Sequence, residues 1–285
     1  MIQREQITSK VRSLPTLSTA ISQLSSMLHN EKASASDFEK IIKPDLALTA
    51  NLLKLTNSAF FGLTREVASV KQAVALLGTT RVFELATSLS MANVVPPVLV
   101  GYQITAEVFW QHSIAVAVLA DALRKEARLD VPELVFTAGL LHDIGKLIIG
   151  VFLATLPEAE ILQMRGEGIA FVEIERKVLG IDHAEVGMEV ASKWNLPAVV
   201  CLATRYHHTP DEVEDPRQRN LISMIYAADK LAYSLDYPAS DLLADTEIPP
   251  ELTARLGVPL DRLQQIAVQS IDTILNLSHQ IMTAR

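Results

Sequence analysis

Histidine and aspartate side chains in the middle and C-terminal parts of this sequence are the residues whose types could do chemistry. An adjacent pair, His142 and Asp143, stands within an otherwise apolar stretch at residues 136–146 (FTAGLLHDIGK). Burying such a pair is costly unless its polar groups are hydrogen-bonded or bound to a metal ion. Imidazole and carboxylate groups are ligand types for zinc, iron and manganese. The pair is therefore a candidate metal site.

Further residues of the same types lie on both sides of that pair. His112 precedes it, and His183, the adjacent His207 and His208, and Asp229 follow it. A carboxylate can bridge two ions, and two ions a few ångströms apart can activate water and neutralise the charge on a phosphoryl group. We hypothesise that this set holds one or two divalent ions of iron, manganese or zinc.

Each of these residues also has a purely structural interpretation. His112 alone is typical of a hydrogen-bonded packing residue. The pair His207 and His208 near a helix end would favour the helix dipole. Asp229 could cap a helix or pair with a cation, and Lys146 could be a solvated cation at a helix end. Spacing along the chain does not by itself bring the set together, so both interpretations stay open.

The elements that must position these residues are predicted to be helices almost throughout. Apolar residues step by three and four along one helix face at Leu14, Leu17, Ile21, Leu24 and Leu28. Capping signals predict helix starts at Ser36, Ser69 and Asp182, and Gly78 fits a helix end. Strand-like alternation is hard to find, and aromatic residues make up only 5%. The predicted fold class is all-α.

The best internal boundary lies between Asn93 and Gln103, where two prolines and Gly101 interrupt the helical pattern. We therefore predict an N-terminal helical lobe at residues 1–95 and a second lobe at residues 96–285, which carries six of the seven histidines. Within the second lobe, residues 242–259 are predicted to be a broken connection. A last amphipathic helix is predicted to follow from Leu260 through Leu275.

Composition excludes several classes of protein. The 285 residues are 49% hydrophobic, which excludes intrinsic disorder as the main state. A net charge of −8 disfavours DNA or RNA binding through phosphates. The single cysteine, Cys201, excludes an internal disulfide and cysteine-based metal sites, and its apolar neighbours predict a buried thiol in a reducing cytoplasm.

Membrane association is also disfavoured by the sequence. The first residues (MIQREQ) lack the pattern of a signal peptide. The longest uncharged stretch, residues 85–106, contains Pro96 and Pro97 and several polar groups, so it does not suit a spanning helix. We expect a soluble, cytoplasmic protein.

Two segments contain candidate ligands within longer motifs: FWQHS at residues 109–113 and AGLLHDIGK at residues 138–146. They resemble the HD superfamily of metal-dependent phosphohydrolases. Further motifs surround them: LPTL at 14–17, IKPDLALT at 42–49, LTNSAFFG at 55–62, AVALLG at 73–78, GIDHAEVG at 180–187, WNLP at 194–197 and HHTP at 207–210. These segments resemble one branch of that superfamily, the HDOD domain. Several motifs in a fixed order make the resemblance specific over about residues 10 to 235.

The resemblance implies an all-helical fold of two lobes, with the HD core in the second lobe, and a role in bacterial signalling. HDOD domains are usually output or interaction modules of regulatory systems, so a signalling protein partner is implied. Motif matching assigns His112, His142, Asp143 and Asp229 to the basic HD metal set. It assigns His183, His207 and His208 to the extra positions of two-metal enzymes such as the HD-GYP cyclic-di-GMP phosphodiesterases. Lys146 matches a lysine near the substrate phosphate, so Lys146 and Asp143 are the catalytic candidates.

Three functions stay open from the sequence. The first is a signalling module with a retained metal site, and the second is an active phosphohydrolase acting on a nucleotide or cyclic dinucleotide. Residues 209–216 (TPDEVEDP) follow His208, and Gly-Tyr-Pro does not occur in the sequence, which disfavours cyclic-di-GMP hydrolysis and favours the module. The third is nucleotide or nucleic-acid binding without catalysis, and the charge of −8 argues against a DNA-binding surface.

Overall fold

The computed structural model describes residues 4–14, 17–28, 30, 32–58, 61–92, 94–238 and 246–283. Over these residues the chain forms sixteen α-helices and one short two-stranded ribbon, which confirms the all-α prediction. The first half contains α1 (Arg4–Ser13), α2 (Thr19–Met27), α3 (Ala35–Ile42), α4 (Leu46–Thr56), α5 (Val70–Leu77), α6 (Thr79–Ala92), β1 (Val98–Leu99), β2 (Ile104–Thr105), α7 (Ala106–Ala127) and α8 (Val135–Leu141). The second half contains α9 (Lys146–Leu153), α10 (Glu158–Gly166), α11 (Phe171–Leu179), α12 (His183–Lys193), α13 (Ala198–Tyr206), α14 (Pro216–Ser234), α15 (Pro250–Leu256) and α16 (Leu260–Met282).

Helix ends follow the predicted capping signals at most positions. The Ser69 side chain accepts a hydrogen bond from the Gln72 amide at 3.2 Å and begins α5, and Gly78 ends that helix with φ of 85°. The Asp182 carboxylate accepts from the Glu185 amide at 2.7 Å and begins α12. Gly78 suits its position because a positive φ costs glycine no steric strain.

Two local predictions are wrong. The helix predicted to start at Ser36 starts two residues earlier, at the N-cap Ser34. Asp37, rather than Glu39, closes the capping box there, because its carboxylate accepts from the Ser34 amide at 3.1 Å. The predicted connection at residues 242–259 contains α15, which begins at Pro250, a position where the missing amide hydrogen is not needed. Residues 242–245 of that connection lie outside the described residues.

The ribbon of β1 and β2 is an element that the sequence did not predict. Val98 pairs with Thr105 and Leu99 with Ile104, and a 3-10 turn at Val100–Tyr102 joins the strands. The ribbon lies in the segment that the prolines mark as an interruption. The residues of that segment and of the quoted motifs that lie outside the described residues are Pro15, Thr16, Ala59, Phe60 and Asn93. Strands of two residues are too short to show an alternating pattern.

Helix α7 is the centre of the larger part of the fold. It packs against α8, α14 and α16, and its residues are buried almost continuously from Phe109 to Leu123. Helices α8 and α9 form an apolar stretch, Val135–Leu153, that has the length and hydropathy of a membrane span, but 83% of it is buried inside the protein. The core packing of these helices accounts for their hydropathy.

The N-terminal helices divide between two sets of neighbours. Helices α2 to α6 pack mainly against one another, whereas α1 packs against α9 and α12. Lys193 at the end of α12 holds α1 in place, because its ammonium donates to the carbonyls of Val11 at 3.0 Å and Leu14 at 2.7 Å. The division at residues 95 and 96 stays a prediction.

Candidate metal centre

The fold brings the seven predicted ligand residues to one place. Several of them lie at helix ends, where the chain changes direction and a side chain can reach inward. His112 projects from α7, His142 and Asp143 follow α8, His183 begins α12, His207 and His208 follow α13, and Asp229 projects from α14. Residues separated by more than a hundred positions in the chain therefore form one cluster.

One trio of ligand atoms comes from His112, His142 and Asp229. The His112 Nε2 lies 3.1 Å from Asp229 Oδ1, and the His142 Nε2 lies 3.9 Å from the same oxygen. The two Nε2 atoms are 3.4 Å apart. These three atoms are close enough together to hold one ion.

A second trio comes from His183, His207 and His208. The His183 Nε2 lies 3.3 Å from the His207 Nε2 and 2.9 Å from the His208 Nε2. All three ligand atoms again lie within reach of a common ion. The three residues that the resemblance assigned to the additional metal positions thus form a trio of their own.

Asp143 lies between the two trios and turns one carboxylate oxygen toward each. Its Oδ2 lies 3.4 Å from the His142 Nε2 and 3.8 Å from the His112 Nε2. Its Oδ1 lies 3.3 Å from the His183 Nε2 and 3.7 Å from the His207 Nε2. This is the arrangement in which a carboxylate can bridge two ions.

The outer nitrogens of four histidines are held by acceptors away from the centre. The Nδ1 atoms of His112, His142 and His207 contact the carbonyl oxygens of Tyr237 at 2.7 Å, Gly139 at 2.7 Å and Thr204 at 3.0 Å, and that of His183 contacts Glu175 at 2.7 Å. A carbonyl oxygen only accepts, so in the three histidines that contact carbonyls Nδ1 carries the proton and Nε2 keeps its lone pair for the centre. Such outer hydrogen bonds fix the tautomer and the direction of metal-binding histidines.

The residues present fit a divalent metal ion. When the rings of His112 and His142 are neutral, two lone pairs face each other across 3.4 Å, an arrangement that a cation between them would stabilise. The donor set of imidazole nitrogens and carboxylate oxygens suits first-row transition ions such as zinc, iron and manganese. The described clusters therefore favour the divalent metal predicted from the sequence.

The histidines of the second trio differ in their protonation. Burial opposes a proton on His183, but the Glu175 carboxylate and the hydrogen bonds to Asp143 and Glu175 outweigh it and raise the pKa of His183 to about 9. Burial lowers the pKa of His207 to about 3 and the pKa of His208 well below its usual value. His207 and His208 are thus neutral at pH 7, and a cation binding to His183 would displace a proton.

Asp143 is fully ionised although it is buried. Burial alone would raise its pKa, but the Lys146 ammonium and the nearby histidines hold the pKa of Asp143 well below its usual value. The Lys146 Nζ donates to Asp143 Oδ2 at 2.6 Å and lies 5.7 Å from the centre of the Tyr102 ring. Lys146 is only 5% exposed, so the structure places this catalytic candidate within the packing around Asp143.

Sequence reasoning missed Glu175 and Tyr102, which lie directly behind the centre. Glu175 is fully buried and contacts both the ring and the backbone amide of His183. Its signal in the sequence is its place on the apolar face of α11, four residues after Phe171 and next to Ile174, where a carboxylate needs a buried partner. Tyr102 stands in the Gly101-Tyr102-Gln103 interruption and has no comparable signal.

Comparisons with known proteins bear on the fold and the family of this chain. A family model for the HDOD domain matches residues 14–210. The fold is similar to an HDOD domain protein from Geobacter sulfurreducens, with a TM-score of 0.76, 21% identity and coverage of 99% of this chain and 98% of that one. It is also similar to a "Putative phosphohydrolase" from Shewanella amazonensis SB2B, with a TM-score of 0.74, 26% identity and coverage of 96% and 97%. The resemblance seen in the sequence is confirmed.

A curated relative extends beyond the matched region. An uncharacterized protein from Treponema pallidum is 27% identical over 236 residues, which is 81% of this chain but only 44% of the relative. The chain thus spans less than half the length of that relative.

Proposed function

Because the chain belongs to the HDOD family, we propose that it is a regulatory signal-transduction module whose helical core binds divalent metal at the His/Asp centre. The observation that carries this proposal is the convergence of seven ligand side chains in a centre that is almost closed to solvent. His112, His142, Asp143, His183 and His207 are each at most 2% exposed. A site of this kind suits an ion held as a structural or sensory element.

The state of Lys146 also supports a module rather than an enzyme. A lysine that binds a substrate phosphate needs an ammonium group that reaches an open cleft. Here the ammonium is buried and donates to Asp143 at 2.6 Å. The sequence lacks the Gly-Tyr-Pro segment of cyclic-di-GMP phosphodiesterases as well.

We propose a protein as the partner of this module, in a reducing cytoplasm. The family supports that kind of partner. The net charge of −8 disfavours DNA, and the apolar Val135–Leu153 stretch is occupied by core packing. A nucleotide ligand is a separate outcome, which equilibrium binding of nucleotides to the metal-loaded protein would detect.

Metal-dependent phosphohydrolysis is the second candidate function. The bridging position of Asp143 and the 26% identity to a "Putative phosphohydrolase" favour it. Divalent ions at such a centre would supply activation of water and neutralisation of phosphoryl charge. In that reaction Asp143 would face both trios, and the Lys146 ammonium would keep Asp143 ionised. After a movement of its side chain, Lys146 would neutralise charge on the phosphate.

Metal content is the first test of the proposed function. The protein is purified without chelators or a histidine tag, reconstituted anaerobically with ferrous iron, manganese or zinc, and measured by plasma mass spectrometry. We expect bound metal in the wild type and its loss in the double variant His142→Ala with Asp143→Asn. The matched control is His279→Ala, which removes an exposed histidine of α16 and should keep the metal.

Hydrolysis distinguishes the two candidate functions. The metal-loaded wild type is assayed against bis(p-nitrophenyl) phosphate, cyclic dinucleotides and nucleotides. The module predicts bound metal with no robust turnover, and binding of a purified partner that partly survives the double substitution. Turnover that disappears in both Asp143→Asn and Lys146→Met would overturn the module in favour of the enzyme.

A further inference from the structure

The Tyr102 side chain lies behind the metal centre at the junction of two helices. It is 3% exposed and closes the 3-10 turn at Val100–Tyr102. Its hydroxyl donates to Glu175 Oε1 at 2.6 Å. Since Tyr102 belongs to the turn that joins β1 to β2, this hydrogen bond ties the ribbon to α11.

Glu175 transmits that contact to a predicted metal ligand. Its carboxylate accepts from the His183 Nδ1 at 2.7 Å and from the His183 backbone amide at 2.6 Å. With the Tyr102 hydroxyl, it thus has three donors around two oxygens, and each donor restricts how the carboxylate can turn. The direction of the His183 ring therefore depends on where Tyr102 holds Glu175.

Tyr102 also touches the partner of the bridging carboxylate. The Lys146 ammonium lies 5.7 Å from the centre of the Tyr102 ring, a distance at which a cation is attracted to an aromatic ring. The same ammonium donates to Asp143. One side chain thus contacts the outer partners of two predicted ligands, His183 and Asp143.

Close backbone packing fixes the Tyr102 ring in this position. A Cβ atom on Gly101 would lie 2.3 Å from the Gly150 carbonyl oxygen, and a Cβ on Gly150 would lie 3.2 Å from the Tyr102 ring. Phe171 packs on the ring with 5.0 Å between centroids. Two glycines therefore let the ribbon and α9 approach closely enough to clamp the ring between α9 and α11.

We propose that Tyr102 is a positioning residue that couples the β1–β2 ribbon to the metal affinity of the His183 trio through Glu175. This inference rests on the proposed metal centre and names what tunes it. Loss of the hydroxyl leaves Glu175 with fewer restraints, so the His183 ring spends less time aimed at the centre. The trio of His112, His142 and Asp229 lies on the other side of Asp143. Among the described residues it makes no hydrogen bond, ion pair or ring contact with Tyr102 or Glu175, so its affinity should change less.

The test measures Zn²⁺ affinity and the visible spectrum of the Co²⁺-loaded protein. The variants are Tyr102→Phe, which removes one oxygen from a packed ring, and Glu175→Gln. The matched control is Tyr226→Phe, which makes the same chemical change on α14, where the ring lies 5.1 Å from the Lys230 ammonium. Chelator competition gives the affinity, and thermal unfolding without added metal shows whether the fold itself has changed.

Removal of an outer hydrogen-bond partner typically lowers metal affinity about 10–100-fold. We expect the Zn²⁺ affinity of one class of site to fall about tenfold in Tyr102→Phe and further in Glu175→Gln. The Co²⁺ spectrum should change in both variants, whereas Tyr226→Phe should match the wild type in both measurements. Wild-type Zn²⁺ affinity and an unchanged Co²⁺ spectrum in Tyr102→Phe would overturn the coupling alone. A wild-type protein that takes up neither ion would overturn the proposed function as well.

Discussion

Gly145 and His183 lie so close together that no side chain fits between them. A Cβ atom at position 145 would lie 1.9 Å from the His183 carbonyl oxygen and 2.6 Å from the Gly187 amide nitrogen. Both obstacles are backbone atoms, so neither can move without moving α12. The glycine of the HDIGK segment is thus what allows the turn after α8 to approach the first residue of α12 and bring Asp143 next to His183.

We therefore expect Gly145→Ala to damage both the fold and the centre. Forcing atoms into a packed backbone contact typically costs about 1–3 kcal/mol or more, and the displaced His183 should weaken metal binding. Chemical denaturation and metal content measure the two effects. Gly166→Ala is the matched control, because a Cβ there meets nothing within 4 Å, and its stability should be unchanged or higher. Equal stability of both variants would contradict this account of Gly145.

The bridging position of Asp143 predicts that it matters to both trios. Asp143→Asn removes the negative charge that faces both groups of histidines, whereas Asp229→Asn affects only the trio that contains His112 and His142. Replacing an outer hydrogen-bond partner of a ligand typically lowers metal affinity about 10–100-fold, and we expect a loss at least this large for every bound ion in Asp143→Asn. In Asp229→Asn, only the affinity of the site formed with His112 and His142 should fall.

Zn²⁺ titration with chelator competition separates these two patterns. The exposed Asp272→Asn on α16 controls for the loss of a charge. If Asp143→Asn and Asp229→Asn lose the same single class of site, Asp143 does not act as a bridge.

The sequence indicated which residues are candidate ligands, but it did not show how they are arranged in space. His142 and Asp143 were visible as a polar pair in an apolar stretch, and the family motifs assigned the remaining ligands. The meeting of His112 with Asp229 was not predictable from spacing, because it depends on how α7 packs against α14. Glu175 lies on the apolar face of α11, but its contact with His183 was not predictable, because that contact depends on how α11 packs against α12.

Local structure shows the same limit. The capping serine at position 69 was predictable because its partner is three residues away. Ser34 and Ser36 both precede a suitable acid, so the sequence alone does not decide which of them begins α3. The ribbon carrying Tyr102 was not predictable either, since its two-residue strands are defined by pairing with each other rather than by a pattern.

Lys193 is expected to hold α1 against α9 and α12. Its ammonium donates to carbonyls at the end of α1, and Ile7 and Val11 of that helix are buried. Hydrogen bonds to a charged group contribute about 1.5–3 kcal/mol, and partial exposure of Lys193 reduces this, so Lys193→Met should destabilise α1 by about 1–2 kcal/mol. Hydrogen exchange of residues 4–14 should become faster, while Lys177→Met, which removes an exposed lysine of α11, should leave it unchanged. Identical exchange in the two variants would show that packing alone holds α1.

Glu84 on α6 is a buried acid whose ionisation opposes folding. Burial raises the pKa of Glu84 from 4.5 to about 7, even though the Arg81 guanidinium donates to it at 2.7 Å. The folded chain therefore binds an extra proton between these two values. The contribution of Glu84 to the free energy of unfolding is fully present below pH 4.5 and is lost as the pH rises to about 7.

A rise of this size in the pKa corresponds to at most about 3.5 kcal/mol. Other groups titrate in the same range, so the informative quantity is the difference between the wild type and Glu84→Gln, which stays neutral at every pH. Denaturant unfolding in the presence of a chelator, at several pH values between 5 and 8, should show the variant gaining stability relative to the wild type as the pH rises. Glu133 is exposed and lines the same surface cavity as Arg81 and Glu84. The stability of Glu133→Gln should therefore vary with pH in parallel with that of the wild type. Parallel curves for Glu84→Gln as well would mean that Arg81 keeps Glu84 ionised throughout, and that the pKa of this buried acid is not raised.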